Sequence, residues 1–339
     1  MSALSDVARL AQVSKATASR ALSGNGYVST ETRDRVIAAA ATIGYVVSAN
    51  AASLVTGQTR NVGVVIPHIN RWYFGEVLEG VESALIAAGY DLTLYRLSDD
   101  AAERRRVFEY FLVRKRVDAV LAVGIELTHH EVELLHALAK PIVGIGGPIE
   151  GITTLGIDDA AAATLVTEHL ISLGHTRIMH FGGDQKRQMD FSVHSQRLAG
   201  FRRAMAAAGL DAGEATFRPT GLSIEGGYRL ALTVLADPRA RPTAVFAGSD
   251  EVAIGTIVAA RQLGIQVPAQ LSVVGIDGHD LAAMFGLTTL AQHPKAQGKR
   301  AVGMLMHELV EPPDTAELRW QAHPVRLEVR ASTTAPPPS

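Results

Sequence analysis

The chain has 339 residues, no cysteine and a formal net charge of −2. That length exceeds one ordinary core and indicates two or three domains. The lack of cysteine excludes disulfides and thiolate metal sites and is typical of a protein from a reducing cytoplasm. No apolar stretch approaches the roughly 20 residues of a membrane helix, and Asp6, Arg9 and Lys15 interrupt any secretory leader.

The charge is distributed unevenly along the chain. Residues 1–60 contain six basic and three acidic side chains, so this region carries +3 and the remainder carries −5. A basic end on a mildly acidic body is typical of a protein that binds nucleic acid at one end only. Because +3 is a small charge, we expect a single copy of this region to bind DNA weakly.

Residues 6–22 predict two short helices around a tight turn. The first runs from about Asp6 to Ala11, and the second runs from Lys15 to Leu22 with Ser14 as its N-cap. Their inner faces are apolar: Val7, Leu10 and Ala11 in the first helix, and Ala18, Ala21 and Leu22 in the second. A third helix is predicted over residues 30–43, capped by Ser29 and ended by Gly44, with Val36, Ile37, Ala40 and Ile43 at helical spacing.

The outer face and leading end of the second helix carry the candidate DNA-binding residues Ser14, Lys15, Ala16, Thr17, Ser19 and Arg20. In a helix-turn-helix, the N-terminal residues of the second helix contact base edges in the major groove. Arg20 can pair with guanine through two hydrogen bonds, and Lys15 can reach a base or a phosphate. The pattern alone also fits a small helical bundle with no DNA role.

From Arg60 onward the pattern alternates between buried-type strands and amphipathic helices, and the alternation restarts in the second half. Strands are predicted at residues 62–66, 91–95, 118–123, 141–144, 177–181, 244–247 and 272–276. Helices are predicted at 73–88, 107–114, 160–172, 196–208, 225–235 and 251–263, with Gly89, Gly174, Gly209 and Gly264 as C-caps. This order predicts two lobes with doubly wound parallel sheets and a cleft between them.

Candidate ligand-binding residues follow the predicted strand ends, where open α/β sheets bind their ligands. They are Tyr73, Phe74, Arg197, Leu222, Asp250 and Asp277. Carboxylates and a guanidinium bind hydroxyls, and aromatic rings stack on the C–H face of a sugar. The residues also have ordinary structural explanations: the aspartates as helix caps, Arg197 as an ion pair between lobes, and Phe74 as core.

The chain resembles the LacI (lactose repressor) family of transcription regulators. In the N-terminal region the resemblance is carried by Asp6-Val7-Ala8, Val13 to Thr17, Ser19-Arg20, Gly44-Tyr45 and Leu54 to Gly57. In the body it is carried by His169 to His175, Arg197 to Phe201, Phe246 to Asp250, Ser272 to Asp277 and Leu287 to Leu290. Departures at Ala52, Val55, Ser249, Leu222 and the loop Gly278-His279-Asp280 bear on DNA affinity and on the identity of the ligand.

The resemblance implies an all-α helix-turn-helix head at 1–46, a hinge at 47–59 and a two-lobed body at 60–332 like that of periplasmic binding proteins. It implies an N-lobe of about 60–158 and 291–319 and a C-lobe of about 161–288 and 322–332, with crossovers near 158–161, 288–291 and 319–322. Leu54 matches the hinge leucine that wedges into the DNA minor groove, although an ordinary linker leucine fits the position too. The Pro-rich tail at 333–339 is expected to be disordered.

We therefore expect a cytoplasmic regulator, most simply a repressor, that binds a palindromic DNA operator as a homodimer or tetramer. A sugar or sugar derivative would control it, as inducer or corepressor. We expect no cofactor, no metal and no catalysis: the segment Gly144 to Ile149 lacks the last glycine of a dinucleotide loop, and the segment His307 to Glu311 lacks the second histidine of a zinc-binding helix. A sugar-binding transport protein and an enzyme built on the same fold are the alternatives.

Overall fold

The computed structural model describes residues 4–23, 26–45, 58–112, 117–184, 193–311 and 320–338. The chain divides into two compact units at residue 60. We call residues 4–45 the head and the described residues from 61 onward the body. The predicted hinge with Leu54 lies outside the described residues, so its role stays a prediction.

The head contains the three predicted helices. They are α1 (Leu4–Leu10), α2 (Lys15–Ser23) and α3 (Thr30–Thr42). Both predicted caps are confirmed: the Ser14 hydroxyl accepts the Thr17 N–H at 3.0 Å, and the Ser29 hydroxyl accepts the Thr32 N–H at 3.3 Å. These bonds satisfy amide groups that have no partner inside the helix.

The head core is made mostly of alanine. Its buried side chains are Val7, Ala8, Ala11, Ala18, Ala21, Val36, Ala39 and Ala40. The expected core positions Leu10 and Ile37 are wrong, because each side chain is 50% exposed. Small residues at the helix contacts let the three helices approach closely, which leaves the bulkier Leu10 and Ile37 outside the core.

The body contains two sheets of matching plan, as predicted. The strands of the first are β1 (Asn61–Ile66), β2 (Asp91–Arg96), β3 (Ala119–Val123), β4 (Ile142–Ile145), β5 (Thr153–Gly156) and β11 (Trp320–Ala322). Its order is β11-β5-β4-β3-β1-β2, and every pair is parallel. The repeated core order 2-1-3-4-5 is a common doubly wound arrangement.

The second sheet repeats this order in the second half of the chain. Its strands are β6 (Ile178–Gly182), β7 (Phe217–Pro219), β8 (Ala244–Ala247), β9 (Ser272–Asp277), β10 (Thr288–Ala291) and β12 (Arg326–Glu328). The order is β12-β10-β9-β8-β6-β7, parallel except for the antiparallel pair β10–β12.

Helices connect the parallel strands. They are α4 (Trp72–Ala88), α5 (Ala101–Arg105, continued by a π-helical segment Arg106–Leu112), α6 (His129–Ala137), α7 (Asp159–Ser172), α8 (Val193–Ala207), α9 (Ile224–Leu235), α10 (Asp250–Gln262) and α11 (Pro294–Val310). All four glycines expected to end helices, Gly89, Gly174, Gly209 and Gly264, have positive φ. A left-handed residue after the last turn is the ordinary way to end a helix before a strand.

Two of the three crossovers between the lobes lie a few residues beyond the expected positions, while the first, at residues 157–158, lies at the start of the expected range. Residues 288–291 were expected to cross, but they form β10 within the second sheet, and the chain leaves that lobe at Gln292. Residues 320–322 form β11 of the first sheet, so the third crossover begins at His323. At the second and third crossovers a short strand pairs with the sheet that the chain is leaving, which moves these two boundaries toward the C-terminus.

The expectation of a disordered tail is wrong for residues 333–334. The Thr334 N–H donates to the Ser272 hydroxyl at 3.0 Å, and the Thr333 hydroxyl contacts that of Thr288 at 3.0 Å. The imidazole of His175, buried at 1% exposure, bonds the Thr334 carbonyl at 2.8 Å and the Thr243 hydroxyl at 2.9 Å. His175 was expected to be structural, and its structural role is to hold the end of the chain against the second sheet.

His180 is the most deeply buried titrating group of the second sheet. It lies on β6 with its ring stacked on Phe246 at 4.3 Å, and its Nδ1 bonds the Phe246 carbonyl at 3.0 Å. Among the described residues its Nε2 has no hydrogen-bond partner. Burial lowers the pKa of His180 from 6.5 to about 3, so the ring is neutral in the folded protein.

His180 should therefore make stability fall in mild acid. Its contribution is complete above pH 6.5 and is lost as the pH falls toward 3, because only the unfolded chain takes up the proton. We expect His180→Leu to reduce the loss of unfolding free energy between pH 7.5 and 5.5 by about 1.4 kcal/mol, measured by urea denaturation. The neighbouring Met179→Leu is the control, and equal pH dependence in both variants would contradict the assignment.

Candidate DNA-reading helix and interlobe cleft

Helix α2 presents its candidate DNA-binding residues to solvent to different degrees. Lys15, Ala16 and Arg20 are exposed, whereas Thr17 and Ser19 are half-buried. Ser14 is exposed but its hydroxyl is engaged with Thr17. Lys15 and Arg20 are therefore the side chains that are both exposed and long enough to extend into a DNA groove. The Arg20 Nε donates a hydrogen bond to the Ala16 carbonyl at 3.3 Å, which orients the side chain.

The body has a cleft of about 600 Å³ at the carboxyl ends of both sheets. Its wall includes residues that follow strands of the first sheet, such as Gly124 after β3, and of the second, such as Ser249 after β8. Parallel strands present their carboxyl ends to one side, so two such sheets facing each other form a ligand site. The volume is typical of small-molecule pockets, which span roughly 300–1,000 Å³.

Five of the six predicted ligand-binding residues line this cleft. They are Tyr73, Phe74, Arg197, Leu222 and Asp277. They come from the start of α4, from α8, from the loop after β7 and from the end of β9. The topology therefore brings together side chains that lie up to about 200 positions apart in the sequence.

Three rings form an aromatic wall on the first lobe. Phe74 makes edge contacts with His68 at 5.8 Å and with Tyr73 at 5.2 Å between ring centroids. Gly124, at φ 54°, leaves the space that the Phe74 ring fills, since a Cβ there would lie 2.6 Å from a ring carbon. Such a surface suits the apolar face of a sugar or a planar ring.

Arg197 is buried at 6% exposure on the opposite side of the cleft. Its Nε donates to Asp159 Oδ1 at 2.7 Å, and its Nη1 donates to the Gly248 carbonyl. Asp159 begins α7 in the same lobe, so the ion pair does not bridge the lobes. The guanidinium is thus held rigidly with its charge balanced by a buried carboxylate.

Asp277 ends β9 and is also buried, at 6% exposure. Its Oδ1 accepts a hydrogen bond from Gln292 Nε2 at 2.7 Å. Burial raises the pKa of Asp277, and the nearby Asp250 carboxylate raises it further. The backbone φ of 141° is a conformation that favours glycine, and such strain is common where a side chain must be aimed at a site.

Asp250 lies beneath the cleft and not among the described residues that line it. Its Oδ2 accepts the N–H groups of Gly278 and His279 and the Thr289 hydroxyl, at 2.8–2.9 Å. The alternative of a helix cap does not hold either, because Ser249 caps α10. Effector contact by Asp250 stays a prediction, while its position shows that it fixes the loop after β9.

Sequence reasoning missed Gln292 and Asp159, which both line the cleft. Gln292 follows β10, and the strand-end rule that identified Asp277 would have found it if residues 288–291 had been predicted as a strand. Asp159 follows a crossover after β5, a strand that the sequence analysis did not predict. Their buried polar side chains, at 3% and 6% exposure, hold Asp277 and Arg197.

Two other kinds of site were sought in the described part of the chain. No group of three or more His, Cys, Asp or Glu side chains there is arranged to hold a metal ion. None of the described helices has the length and apolar character needed to cross a membrane.

The sequence matches two protein families. The model for bacterial regulatory proteins of the lacI family matches residues 3–48, and the model for a periplasmic binding protein-like domain matches residues 167–333. The HTH-type transcriptional repressor PurR of Vibrio vulnificus (strain CMCP6) is 32% identical over 319 residues, covering 91% of this chain and 92% of the relative. The chain belongs to the LacI family. The ribose operon repressor of Escherichia coli K12 is 32% identical over 335 residues, covering 97% and 99%.

Solved structures show that this LacI-family chain has the fold of its relatives. The transcriptional regulator CelR in complex with cellobiose is 25% identical with a TM-score of 0.70, covering 98% of this chain and 100% of the other. The lac repressor dimer bound to operator and an anti-inducer has a TM-score of 0.86 at 24% identity, covering 98% and 99%. Both predicted parts, the helix-turn-helix head and the two-lobed α/β body, are confirmed.

The position of Asp250 in this LacI-family body yields a stability prediction. We expect Asp250→Ala to lower the unfolding free energy by about 3 kcal/mol, because three donors lose their acceptor in a buried place. The exposed Asp237, which accepts one bond from the Arg239 N–H, is the control, with a loss below about 1 kcal/mol for Asp237→Ala. Urea denaturation measures both, and similar losses would contradict the assignment.

Proposed function

We propose that the protein is a transcriptional repressor that binds a palindromic operator as a dimer and is controlled by a small sugar-like effector in the interlobe cleft. The observation that carries this proposal is the pairing, in one chain, of a helix-turn-helix with an exposed Arg20 and a cleft walled by Tyr73, Phe74, Arg197 and Asp277. The first reads DNA and the second binds a small molecule. In this proposal the protein binds and releases the operator and the effector and catalyses no reaction.

Dimerisation follows from the small charge of the head. Two heads at a fixed spacing bind DNA far more tightly than one, and a two-fold dimer matches a palindromic site. An apolar surface is available on the second lobe: Ile224 on α9 and Val258 on α10 are 38% and 37% exposed. The two helices that carry them pack closely, since a Cβ on Gly255 of α10 would lie 2.1 Å from the Ile224 carbonyl oxygen of α9. The lac repressor structure noted above is a dimer bound to operator.

The cleft favours an uncharged effector. The charge of Arg197 is already balanced by Asp159 at 2.7 Å, so an effector carboxylate would add a second negative charge beside one guanidinium. The aromatic wall and the buried carboxylate of Asp277 suit a ring that carries hydroxyl groups. One relative is a ribose operon repressor, and one structural neighbour was solved with cellobiose, so D-ribose and cellobiose are the first probes.

The lobes are joined by crossovers at residues 157–158, 292–293 and 323–325. Connections of this kind permit rigid-body closure around a ligand. We propose that effector binding closes the cleft and reorients the first lobe. The hinges around Leu54 of the two subunits then separate, and the two heads no longer bind the operator together. An effector shifts this equilibrium only as far as it binds one state better than the other.

Arg20→Ala tests the DNA-reading helix. The probe is a palindrome obtained by in vitro selection with the purified wild-type protein. We expect the variant to bind it at least 100-fold more weakly, since two guanine contacts of about 1–3 kcal/mol each are lost per dimer. The exposed Arg35→Ala on α3 removes the same charge and should change affinity less than fivefold in the same salt, and equal losses in both variants would sink the assignment.

Arg197→Ala tests the cleft. A sugar that binds the folded wild-type protein raises its melting temperature, and we expect that shift with D-ribose or cellobiose to vanish in the variant while affinity for the selected palindrome stays within threefold. Since Asp159 is left buried without Arg197, Arg197→Lys is the better-folded companion. An undiminished sugar response in both variants would show that the effector binds elsewhere, and a sugar-binding wild type that selects no DNA would favour a transport-type protein.

A further inference from the structure

A single chain of hydrogen bonds connects the two walls of the cleft behind its surface. The Tyr73 hydroxyl donates to Gln297 Oε1 at 3.3 Å, and Gln297 Nε2 donates to the Gln292 carbonyl at 2.7 Å. Gln292 Nε2 in turn donates to Asp277 Oδ1 at 2.7 Å. The chain runs from α4 through α11 and the second crossover to the end of β9, and Gln297 does not itself line the cleft.

The bond between Gln297 and the Gln292 carbonyl determines which group donates and which accepts at every step of this chain. A backbone carbonyl only accepts, so the bond to the Gln292 carbonyl fixes which end of the Gln297 amide carries nitrogen. Gln297 Nε2 also faces Gln292 Oε1 at 3.3 Å, which leaves the Gln292 nitrogen for Asp277. The remaining Gln297 oxygen accepts the Tyr73 proton, so every donor in the chain points from Tyr73 toward Asp277.

Gln297 is a polar residue in a fully buried position. Its side chain is fully buried, at 0% exposure, and burying an amide is unfavourable unless its groups are bonded. Its neighbour Gly298 lets α11 approach α4 closely, because a Cβ there would lie 2.3 Å from the Val77 carbonyl. This approach brings Gln297 within reach of Tyr73. An apolar side chain of the same length would fill the space, so packing alone does not explain the amide.

We propose that Gln297 is a positioning residue for effector recognition, which orients the Tyr73 hydroxyl and the Asp277 carboxyl toward the cleft. The Tyr73 proton is used by Gln297, so the Tyr73 oxygen only accepts from an effector, and one oxygen of Asp277 is held by Gln292. The effector must then present an O–H or N–H donor to Tyr73 and a hydroxyl, which both donates and accepts, to Asp277. This inference rests on the proposed function of the cleft and names the chemistry that the cleft selects.

The test measures the titration of Asp277 in the protein without effector. Hydrogen bonds to a carboxylate favour its charged form and lower its pKa. Gln297→Met removes the donor that holds the Gln292 backbone carbonyl at 2.7 Å and faces its side-chain oxygen at 3.3 Å, so we expect the pKa of Asp277 to rise by about 0.5–1 unit. The readout is the carboxyl ¹³C shift of labelled aspartate, with the Asp277 signal identified by its loss in Asp277→Asn.

A double-mutant cycle shows whether Gln297 acts through Gln292. Gln292→Met alone should raise the pKa of Asp277 by the same amount, and the double variant should raise it no further. The control is Glu308→Gln on the same helix, a buried carboxyl that accepts a hydrogen bond from Thr153, which should leave Asp277 unchanged. An unshifted Asp277 in Gln297→Met, or additive shifts in the double variant, overturns the proposal.

Calorimetric titration with D-ribose and with cellobiose supplies the second readout. Whichever of the two binds the wild type should bind Gln297→Met at least tenfold more weakly and Glu308→Gln normally. Equal affinity in wild type and Gln297→Met overturns the proposal. If neither sugar nor selected DNA binds the wild type, the proposed function fails, while the titration of Asp277 still decides the role of Gln297.

Discussion

Two buried carboxyl groups, Asp250 and Asp277, govern the arrangement of the cleft. They lie at the carboxyl edge of the second sheet, where burial raises the pKa of each. Water is replaced there by donors from the protein: backbone N–H groups and Thr289 for Asp250, and the Gln292 amide for Asp277. Satisfying these groups fixes the loop after β9 and the start of the second crossover. The bonds to Asp250 Oδ2 and Asp277 Oδ1 hold this edge of the cleft together, because breaking one would leave a buried group without its partner.

The two walls of the cleft come from different lobes, and each wall is held by contacts within its own lobe. On one wall, Arg197 and Asp159 neutralise each other. The buried guanidinium therefore lines the cleft without giving that wall a net positive charge. On the other wall, rings pack around the space left by Gly124. A ligand in the cleft meets one polar and one aromatic wall, and each wall belongs to a different lobe. Full contact with a ligand requires both walls, so the closure proposed above would couple recognition to movement of the lobes.

The sequence was sufficient for the architecture because the signals were local and repeated. Strand runs, helical spacing and glycines such as Gly89 and Gly264 predicted the doubly wound lobes, and Ser14 and Ser29 located the head helices. The sequence was not sufficient where contacts between distant residues determine the environment of a side chain. Leu10 is exposed because alanines bring the head helices close, and the role of Asp250 in holding the loop after β9 was not predicted because its partners are 28 or more residues away. Gln297 has no local signal, since only the packing of α11 on α4 brings it to Tyr73.

The last residues of the chain bear on how the protein is made. The second sheet is held by Ser332 to Thr334 through Val273, Ser272 and His175, and the first sheet gains β11 only at residue 320. During synthesis the head leaves the ribosome complete, as a unit with its own core. The two sheets are complete only once residues 320–334 have been made. A nascent chain thus carries its head before its sensor is complete, and a chain cut short before residue 320 would lack β11 of the first sheet and β12 of the second.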